Sequence, residues 1–439
     1  MNIIIETTGF NIGGMEVFFA GHVNYLLSHG HNVYFITKNI SNDIYHTLID
    51  FNDSNFHLIY RCSKELIWMD EKEAKRERDR VFSQLKEVDL KDTVAMVGYY
   101  IDFEYVLNLF RDNPVRMLMI WPHPLEWSNR LHLFFNRYHR IPKRLGAQFE
   151  VQKSLLKEMD DADASYYTSY AIKDYNQWYY GLKFKDRSIE GLPIQVDCGE
   201  PFKYQDRLSQ KEFRVLWVGR FDFFKNDAIY YIYNCLKELS DSNPGIHFYF
   251  NIVGKGTEKY EKDIRGRLKD KNTDRLSVQF LGIVQPNQLT SVFSQNDIGI
   301  AMGVTVKQMG YTGLPAILID SMSKNYNGGK CCNWVFDIAT GDDGDGMYYQ
   351  MANSPLEYRK ELKELLSEVI KNPALLKEYS DKSVKYVTNH YMYERQNRVI
   401  LERACASKFT GTNTPRFKHN YVMRQMWKIR GFIKRGNLL

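Results

Sequence analysis

The sequence predicts an α/β protein of two domains, each with a parallel sheet between layers of helices. The chain has 439 residues, which is too long for one ordinary hydrophobic core and suits two domains of about 200 residues each. Short apolar runs rich in β-branched residues alternate with helical patterns, and this alternation restarts in the second half of the chain. We therefore expect two separate parallel sheets.

The first half opens with a strand, a loop and a helix. Residues 2–6 form a short apolar run, a loop with two glycines follows, and residues 15–28 have a helical pattern. Residues 32–37 predict a second buried strand, and residues 64–92 are so rich in Lys, Arg and Glu that they predict an exposed helix. The other predicted strands of this half are 94–97 and 117–121.

The alternation restarts at residue 213. Residues 214–219 are strand-like and residues 226–240 are helical. Further strands are predicted at 247–253, 277–280, 298–302 and 316–319, and further helices at 356–371 and 375–407. The predicted organisation is an amino-terminal domain at 1–197, a second domain at 198–375, a helix at 376–407 that packs back on the first domain, and a tail at 408–439.

Composition excludes several classes of protein. The hydrophobic share of 44% and the charged share of 26% are typical of folded, water-soluble chains. No run approaches the roughly 18 to 20 apolar residues of a spanning helix, and the start lacks the basic region of a secretory signal, so we expect a cytoplasmic protein. The six cysteines lack metal-ligand spacing, and we expect free thiols. Residues 325–345 resemble a calcium loop only superficially, and a solvated turn is expected there.

A glycine pair stands between the first predicted strand and the first helix. Gly13 and Gly14 place backbone N–H groups at a helix N-terminus, which suits a phosphate or another anion. A dinucleotide-binding motif would require G-x-G-x-x-G and an acidic residue at the end of the second strand, where this chain has Thr37 and Lys38. Dinucleotide binding is therefore not expected.

A stronger motif follows the predicted strand 214–219. The loop begins at Gly219 and carries Arg220 and Lys225, five positions apart, before Asn226 and the next helix. Two cations in such a loop would hold a diphosphate and stabilise the negative charge that develops on a departing nucleoside diphosphate. No metal is required by this arrangement. From spacing alone, the alternative that both side chains are ordinary loop charges stays open.

Together these motifs resemble those of the retaining family-four glycosyltransferases, which have the GT-B fold of two Rossmann-like domains facing a central cleft. The resemblance covers most of residues 1–405 and rests on the segments 13–16, 29–31, 218–226, 252–256, 281–284 and 313–315. It implies that Arg220 and Lys225 hold the donor diphosphate and that His123 reaches the transferred sugar. The implied donor contacts are Gly13, Gly14, Gly219, Asn226, Gly254, Gly303, Val304, Thr305 and Gln308.

The sequence departs from the family pattern at two positions. The pattern places two glutamates eight positions apart, and this chain has Ile300 and Gln308 there. A glutamine amide can hydrogen-bond a ribose hydroxyl, whereas isoleucine offers nothing polar to a sugar. Either the donor sugar is oriented differently, with help from Lys307 or Gln308, or the chain is a non-catalytic GT-B protein that binds a glycan or a partner transferase. A GT-B sugar-nucleotide epimerase is a third alternative.

The resemblance implies transfer of a sugar from a nucleotide-sugar donor to a surface-polysaccharide or lipid-linked glycan acceptor in a bacterium, with retention of the anomeric configuration and without a cofactor or metal. An inverting reaction would need a base, and His123, Glu126 and Asp102 are the candidates. The tail at 408–439 interleaves basic and aromatic residues, which suits the anionic inner face of a membrane. Nucleic acid would also accept such a tail, but a lipid-linked acceptor favours the membrane, and no nucleic acid partner is expected.

Overall fold

The computed structural model forms two compact units. The residues that it describes are 1–7, 14–38, 48–62, 66, 69, 71–85, 88–125, 146–194, 201–202, 204–205, 207–208, 211–322, 329–351 and 358–413. Unit 1 contains the described residues up to 166, the short segment 182–185, and the described residues from 400 onward. Unit 2 contains the described residues of 167–181 and 186–399.

Unit 1 contains a six-stranded sheet with the order β3-β2-β1-β4-β5-β6. Its strands are β1 (Asn2–Thr7), β2 (Asn32–Thr37), β3 (Phe56–Tyr60), β4 (Thr93–Val97), β5 (Arg116–Trp121) and β6 (Ser165–Tyr167). The pairs β1–β2, β2–β3, β1–β4 and β4–β5 are parallel. Ile3, Ile4 and Ile5 are all fully buried, as expected for a parallel sheet that helices cover on both faces.

The helices of unit 1 include the exposed helix that the charge pattern predicts. They are α1 (Gly14–Ser28), α2 (Glu71–Gln84), α3 (Tyr100–Leu109) and α4 (Gly146–Asp161). In α2 the buried residues are Ala74, Glu77 and Val81, which lie three and four positions apart on one helical face. The structure therefore confirms a mostly solvent-exposed helix within the charged stretch.

Unit 2 contains a seven-stranded sheet with the order β13-β12-β11-β10-β7-β8-β9. Its strands are β7 (Glu212–Val218), β8 (His247–Val253), β9 (Leu276–Gly282), β10 (Ile298–Ala301), β11 (Ala316–Ile319), β12 (Lys330–Trp334) and β13 (Lys360–Glu361). The pairs from β9 to β11 are parallel, whereas β12 and β13 are antiparallel to their neighbours. Both sheets and their flanking helices confirm the predicted α/β class.

Helices cover both faces of the second sheet. The helices that lie wholly or partly in unit 2 are α5 (Tyr170–Tyr180), α6 (Phe223–Ser242), α7 (Glu258–Leu268), α8 (Pro286–Ser294), α9 (Val304–Tyr311), α10 (Gly346–Met351), α11 (Leu362–Lys371), α12 (Ala374–His390) and α13 (Tyr393–Ala406). Trp217 packs in the cluster that contains Ile229 of α6, while its neighbour Leu216 packs with Val306 of α9 and Val387 of α12. Successive residues of β7 thus pack into the hydrophobic clusters on opposite faces of the sheet, because side chains alternate along a strand.

The division into units differs from the predicted domain boundaries. The helix predicted at 376–407 is two helices, and the first of them, α12, packs within unit 2, where the Ser380 hydroxyl bonds to the Gly313 carbonyl. Only the end of this region joins unit 1, where the Ser407 hydroxyl donates to the Met117 carbonyl at 2.6 Å. A helical pattern indicates which face is buried but not which element covers it, so the sequence could not make this assignment.

Candidate functional site

The strand order of unit 2 reverses beside β7. The next strand in sequence, β8, lies on one side of β7, and β10 lies on the other. In open parallel sheets, ligands bind beyond the carboxyl ends of the strands at such a reversal point. The predicted residues 219–226 and 303–308 lie in the loops after β7 and β10 and in the first turns of the helices that follow them. We therefore take this edge of the sheet as the candidate site.

The loop after β7 presents Arg220 at the start of α6. Asp222 caps this helix by accepting a hydrogen bond from the Phe223 N–H at 2.8 Å. The same carboxylate pairs with Arg220, with 3.1 Å between Oδ2 and Nη2. The Arg220 side chain is 53% exposed, so most of its donors remain open to solvent and to a ligand.

Lys225 is a partly buried cation in the first turn of α6. Burial, and then the nearby charge of Arg220, lower the pKa of its ammonium to about 8, against smaller opposing effects of Asp222 and Asp345. Within the described part of the chain the ammonium has no hydrogen bond and no ion pair, and its closest aromatic contact is the Phe224 ring, with the centroid 5.7 Å away. A cation in this situation favours an anionic ligand.

The loop after β10 brings a helix N-terminus to the same edge. Gly303 is the N-cap of α9 and has φ 65° and ψ −141°, a conformation that favours glycine. The first N–H groups of a helix have no partner within it, so those of Val304 and Thr305 attract negative charge. Thr305 and Gln308 are one turn apart on one helical face, and both side chains are partly exposed.

Gly219 and Gly254 let the loops after β7 and β8 approach closely. The Gly219 N–H donates to the Val253 carbonyl at 3.1 Å, and the Phe221 N–H donates to the Lys255 carbonyl at 3.1 Å. A Cβ on Gly254, which has φ 149°, would lie only 2.1 Å from the Gly219 carbonyl oxygen. These glycines therefore shape the loop that carries Arg220.

Asn226 has a different role from the predicted donor contact. Its side chain is 1% exposed, and its amide nitrogen donates to the Tyr260 carbonyl at 2.8 Å and to an Asp263 oxygen at 2.9 Å. These bonds connect α6 to α7. Neighbouring residues of a helix point about 100° apart, so adjacency to Lys225 does not place Asn226 on the same face.

Ile300 and Lys307, which the sequence analysis considered in relation to the donor sugar, are both buried within unit 2. Ile300 is fully buried within β10, between Trp217 of β7 and Ile317 of β11. Lys307 is fully buried, forms an ion pair with Asp343, and lies 4.2 Å from the centroid of the Tyr391 ring. Of the alternatives considered for orienting the donor sugar, only Gln308 keeps a partly exposed side chain.

The segment 341–346 is a buried, ion-paired loop and not the predicted solvated turn. Arg359 is 2% exposed, and its Nη2 donates to Asp320 at 2.6 Å and to Asp342 at 2.9 Å. Burial raises the pKa of Asp320 to about 6 even though Arg359 opposes the shift. The alternating Gly and Asp residues are evident in the sequence, but Arg359, which pairs with Asp342, lies outside the loop. No local sequence pattern indicates this pairing.

Unit 1 contains the remaining predicted residues. Gly14 begins α1, and His123 follows β5 with an exposed side chain.

Asp102 is fully buried and lies 3.6 Å from Arg61, which also pairs with Glu6 at 2.6 Å. A carboxylate enclosed in this way does not face an acceptor, which removes Asp102 from the candidate bases. Gly13, Glu126 and most of the tail, 414–439, lie outside the described residues.

Three further observations concern the described residues. No group of three His, Cys, Asp or Glu side chains in this part of the chain is arranged to hold a metal ion. No helix that the structure describes combines the length and the apolar character needed to cross a bilayer. The five described cysteines are free, as the sequence predicted for them.

The fold was compared with known proteins. No protein-family model matches the chain, and no curated protein matches it by sequence. Sucrose-phosphate synthase from Thermosynechococcus elongatus is similar in structure, with 13% identity and a TM-score of 0.60 over 91% of this chain and 97% of that one. Anabaena HepE in complex with UDP and glucose has 11% identity and a TM-score of 0.57 over 92% and 100% of the two chains. WaaG, a glycosyltransferase involved in lipopolysaccharide biosynthesis, has 14% identity and a TM-score of 0.52 over 91% and 99%.

Identities this low establish a shared fold and nothing finer. The likeness covers both units, because each aligned structure spans at least 91% of this chain. The chain therefore has the GT-B fold that these glycosyltransferases share.

Proposed function

We propose that the protein is a glycosyltransferase that moves a sugar from a nucleoside-diphosphate donor to a glycan. A fold by itself does not give an activity, so the proposal rests on the site. The observation that carries it is the partly buried Lys225, which lacks an anionic partner among the described residues and stands near Arg220 where the sheet order reverses. A diphosphate would supply the missing charge.

The proposed chemistry uses this pair of cations on the leaving group. As the bond between the sugar and the diphosphate breaks, negative charge grows on the departing phosphate oxygen, and Arg220 and Lys225 stabilise it from fixed positions. In the retaining reaction that we propose, the acceptor hydroxyl attacks from the face that the diphosphate leaves. A phosphate oxygen takes the proton, so no protein base is required. His123 is proposed to contact the transferred sugar, and no metal or cofactor is part of the scheme.

The donor and acceptor are proposed by analogy. HepE was solved with UDP and glucose, and WaaG acts in lipopolysaccharide biosynthesis, which supports a nucleotide-hexose donor and a surface-polysaccharide or lipid-linked acceptor. We place the protein in the bacterial cytoplasm, with the basic aromatic tail at the inner membrane face. Co-sedimentation with phosphatidylglycerol vesicles, but not with phosphatidylcholine vesicles, would support this location. Equal binding to both would argue against it.

Calorimetric titration tests the donor site. The chain would be titrated with UDP, GDP, dTDP, CMP and their sugars, and then the titrations would be repeated with Arg220→Ala and Lys225→Ala. We expect one nucleotide to bind and both variants to weaken it at least tenfold, since each removes a charge-assisted contact. Lys262→Ala is a matched control, because this exposed lysine pairs with Glu258 within α7. The anomeric configuration of the product, measured by NMR, then tests retention.

A non-catalytic GT-B protein that binds a glycan or a partner transferase is the second candidate. The buried Ile300 favours it, because this side chain offers no polar contact to a sugar. This candidate predicts no nucleotide binding even at millimolar ligand. Nucleotide binding that depends on Arg220 and Lys225 would contradict it.

A further inference from the structure

We propose that Asp345 contacts the donor sugar, accepts hydrogen bonds from its hydroxyl groups and so favours a nucleotide sugar over a bare nucleoside diphosphate. This inference rests on the proposed function and concerns the same site. Its basis is a loop that the structure places beside the diphosphate-binding residues, together with two oppositely charged side chains that are near each other but not paired.

The loop 341–346 lies at the carboxyl ends of β10 and β11. The Gly303 N–H donates to the Asp343 carbonyl at 2.9 Å, directly at the N-cap of α9. The Ser321 N–H, two residues after β11, donates to the Gly344 carbonyl at 2.6 Å. These two bonds fix the loop on the sheet edge that carries the candidate site.

Close packing holds the loop in one position. Gly344 has φ 80°, and a Cβ there would lie 2.4 Å from the Ile319 carbonyl oxygen. A Cβ on Gly346 would lie 2.1 Å from an oxygen of Asp320, the carboxylate that binds Arg359. The loop therefore approaches the end of β11 too closely for other side chains, and Arg359 bonds to both Asp320 and Asp342.

The loop presents two carboxylates with different surroundings. Asp343 forms an ion pair with the buried ammonium of Lys307. Asp345 is partly exposed, accepts one hydrogen bond from the Ser169 hydroxyl at 2.7 Å, and forms no ion pair within the described chain. A carboxylate has about four acceptor positions, so most of the acceptor capacity of Asp345 is unused. Burial, and then the charge of Asp343, raise its pKa to about 7.

The charge of Asp345 acts on Lys225, although the two side chains do not form an ion pair. The Ser321 hydroxyl, on a residue that is 5% exposed, also lacks a hydrogen-bond partner among the described residues. Donors and acceptors left unused in partly buried positions suit a ligand that carries both kinds of group. A nucleotide sugar carries phosphate for Lys225 and hydroxyl groups for Asp345.

A carboxylate here distinguishes a nucleotide sugar from a bare nucleotide. Above its pKa of about 7 the Asp345 carboxylate is charged and repels a nearby diphosphate, so it weakens the binding of a nucleoside diphosphate that has no sugar. Only a ligand with hydroxyl groups offsets this loss of affinity, because its hydroxyls donate hydrogen bonds to the charged oxygens. Removing the carboxylate should therefore weaken the binding of the nucleotide sugar but not that of the bare nucleoside diphosphate, which a purely structural role of Asp345 would not do.

The test compares Asp345→Ala with the wild type by calorimetry. Each protein is titrated with UDP and UDP-glucose, GDP and GDP-mannose, and dTDP and dTDP-glucose. We expect the variant to bind the preferred nucleoside diphosphate as tightly as the wild type or more tightly, and its nucleotide sugar at least tenfold more weakly. Asp241→Ala, at an exposed position near the end of α6, is the matched control and should change neither affinity.

The outcomes separate this inference from the proposed function. Equal weakening of nucleotide and nucleotide sugar, or no change in either, would overturn the role of Asp345 and leave the proposed function standing. Absence of all nucleotide binding in the wild type would overturn both. Should Asp345→Ala fail to fold, Asp345→Asn gives the same test, because it keeps the volume and an acceptor for Ser169 but replaces the free oxygen with a donor.

Discussion

The lowered pKa of Lys225 predicts that nucleotide affinity falls at alkaline pH. The pKa is about 8 because the ammonium is buried beside Arg220 and lacks a partner among the described residues. A bound diphosphate favours the charged form and raises this pKa, so affinity is greatest below pH 8 and decreases as pH rises through it. Between pH 7.5 and pH 9 the charged fraction falls from about three quarters to about one tenth, which corresponds to an affinity loss of about eightfold.

Lys225→Arg is the matched control for this experiment. Arginine stays charged throughout the range, so its affinity should vary little between the two pH values. The variant retains Asp345 and Arg220, so any titration of the ligand or of these groups appears equally in both proteins. Calorimetry in two buffers of different ionisation enthalpy should also show an uptake of about 0.9 proton per nucleotide by the wild type at pH 9. The same affinity at both pH values in the wild type, or an equal loss in the arginine variant, would refute the reasoning.

Three further variants test other parts of the structure. Arg359→Met leaves Asp320 and Asp342 buried without their cation, and we expect a loss of about 3 to 5 kcal/mol in the free energy of unfolding, measured by urea denaturation. Gly254→Ala forces a Cβ toward the Gly219 carbonyl, so thermal unfolding should occur at a lower temperature and nucleotide binding should weaken; unchanged binding would mean that the Arg220 loop does not depend on this contact. Asp102→Asn breaks the buried pair with Arg61, which should lower stability and leave nucleotide affinity unchanged, and a selective loss of affinity would contradict its assignment to the core.

The sequence predicted the central strands of both sheets well. The predicted strands at 32–37, 247–253 and 316–319 coincide with β2, β8 and β11. These strands are buried on both faces or nearly so, and continuous apolar runs are their signature. The strands β3, β6, β12 and β13 were not predicted, and they lie at or near an edge of their sheets. Edge strands alternate polar and apolar residues or are very short, and β12 contains Cys331, Cys332 and Asn333, which carry little strand signal.

The candidate site was predictable only where it is local in sequence. Arg220 lies in the loop after β7 and Lys225 in the first turn of α6, and the strand–loop–helix pattern around them was sufficient to locate them. The loop 341–346 could not be predicted as part of the site. Its position depends on Arg359 and on bonds to Gly303 and Ser321, which are distant in the chain. The side-chain direction of Asn226 likewise depends on α7, which the sequence does not place.

The division of the chain between the units affects the order in which they can fold during synthesis. Unit 1 begins at the first residue, but it also includes the described residues from 400 to 413. The Phe409 carbonyl accepts a hydrogen bond from the Met117 N–H at 2.9 Å, and its ring packs near Phe103 with the centroids 6.0 Å apart. The ribosome therefore needs on the order of tens of seconds after making β5 before these contacts exist. Most of unit 2 comes from the continuous stretch 186–399, so it can fold while unit 1 still waits for its last segment.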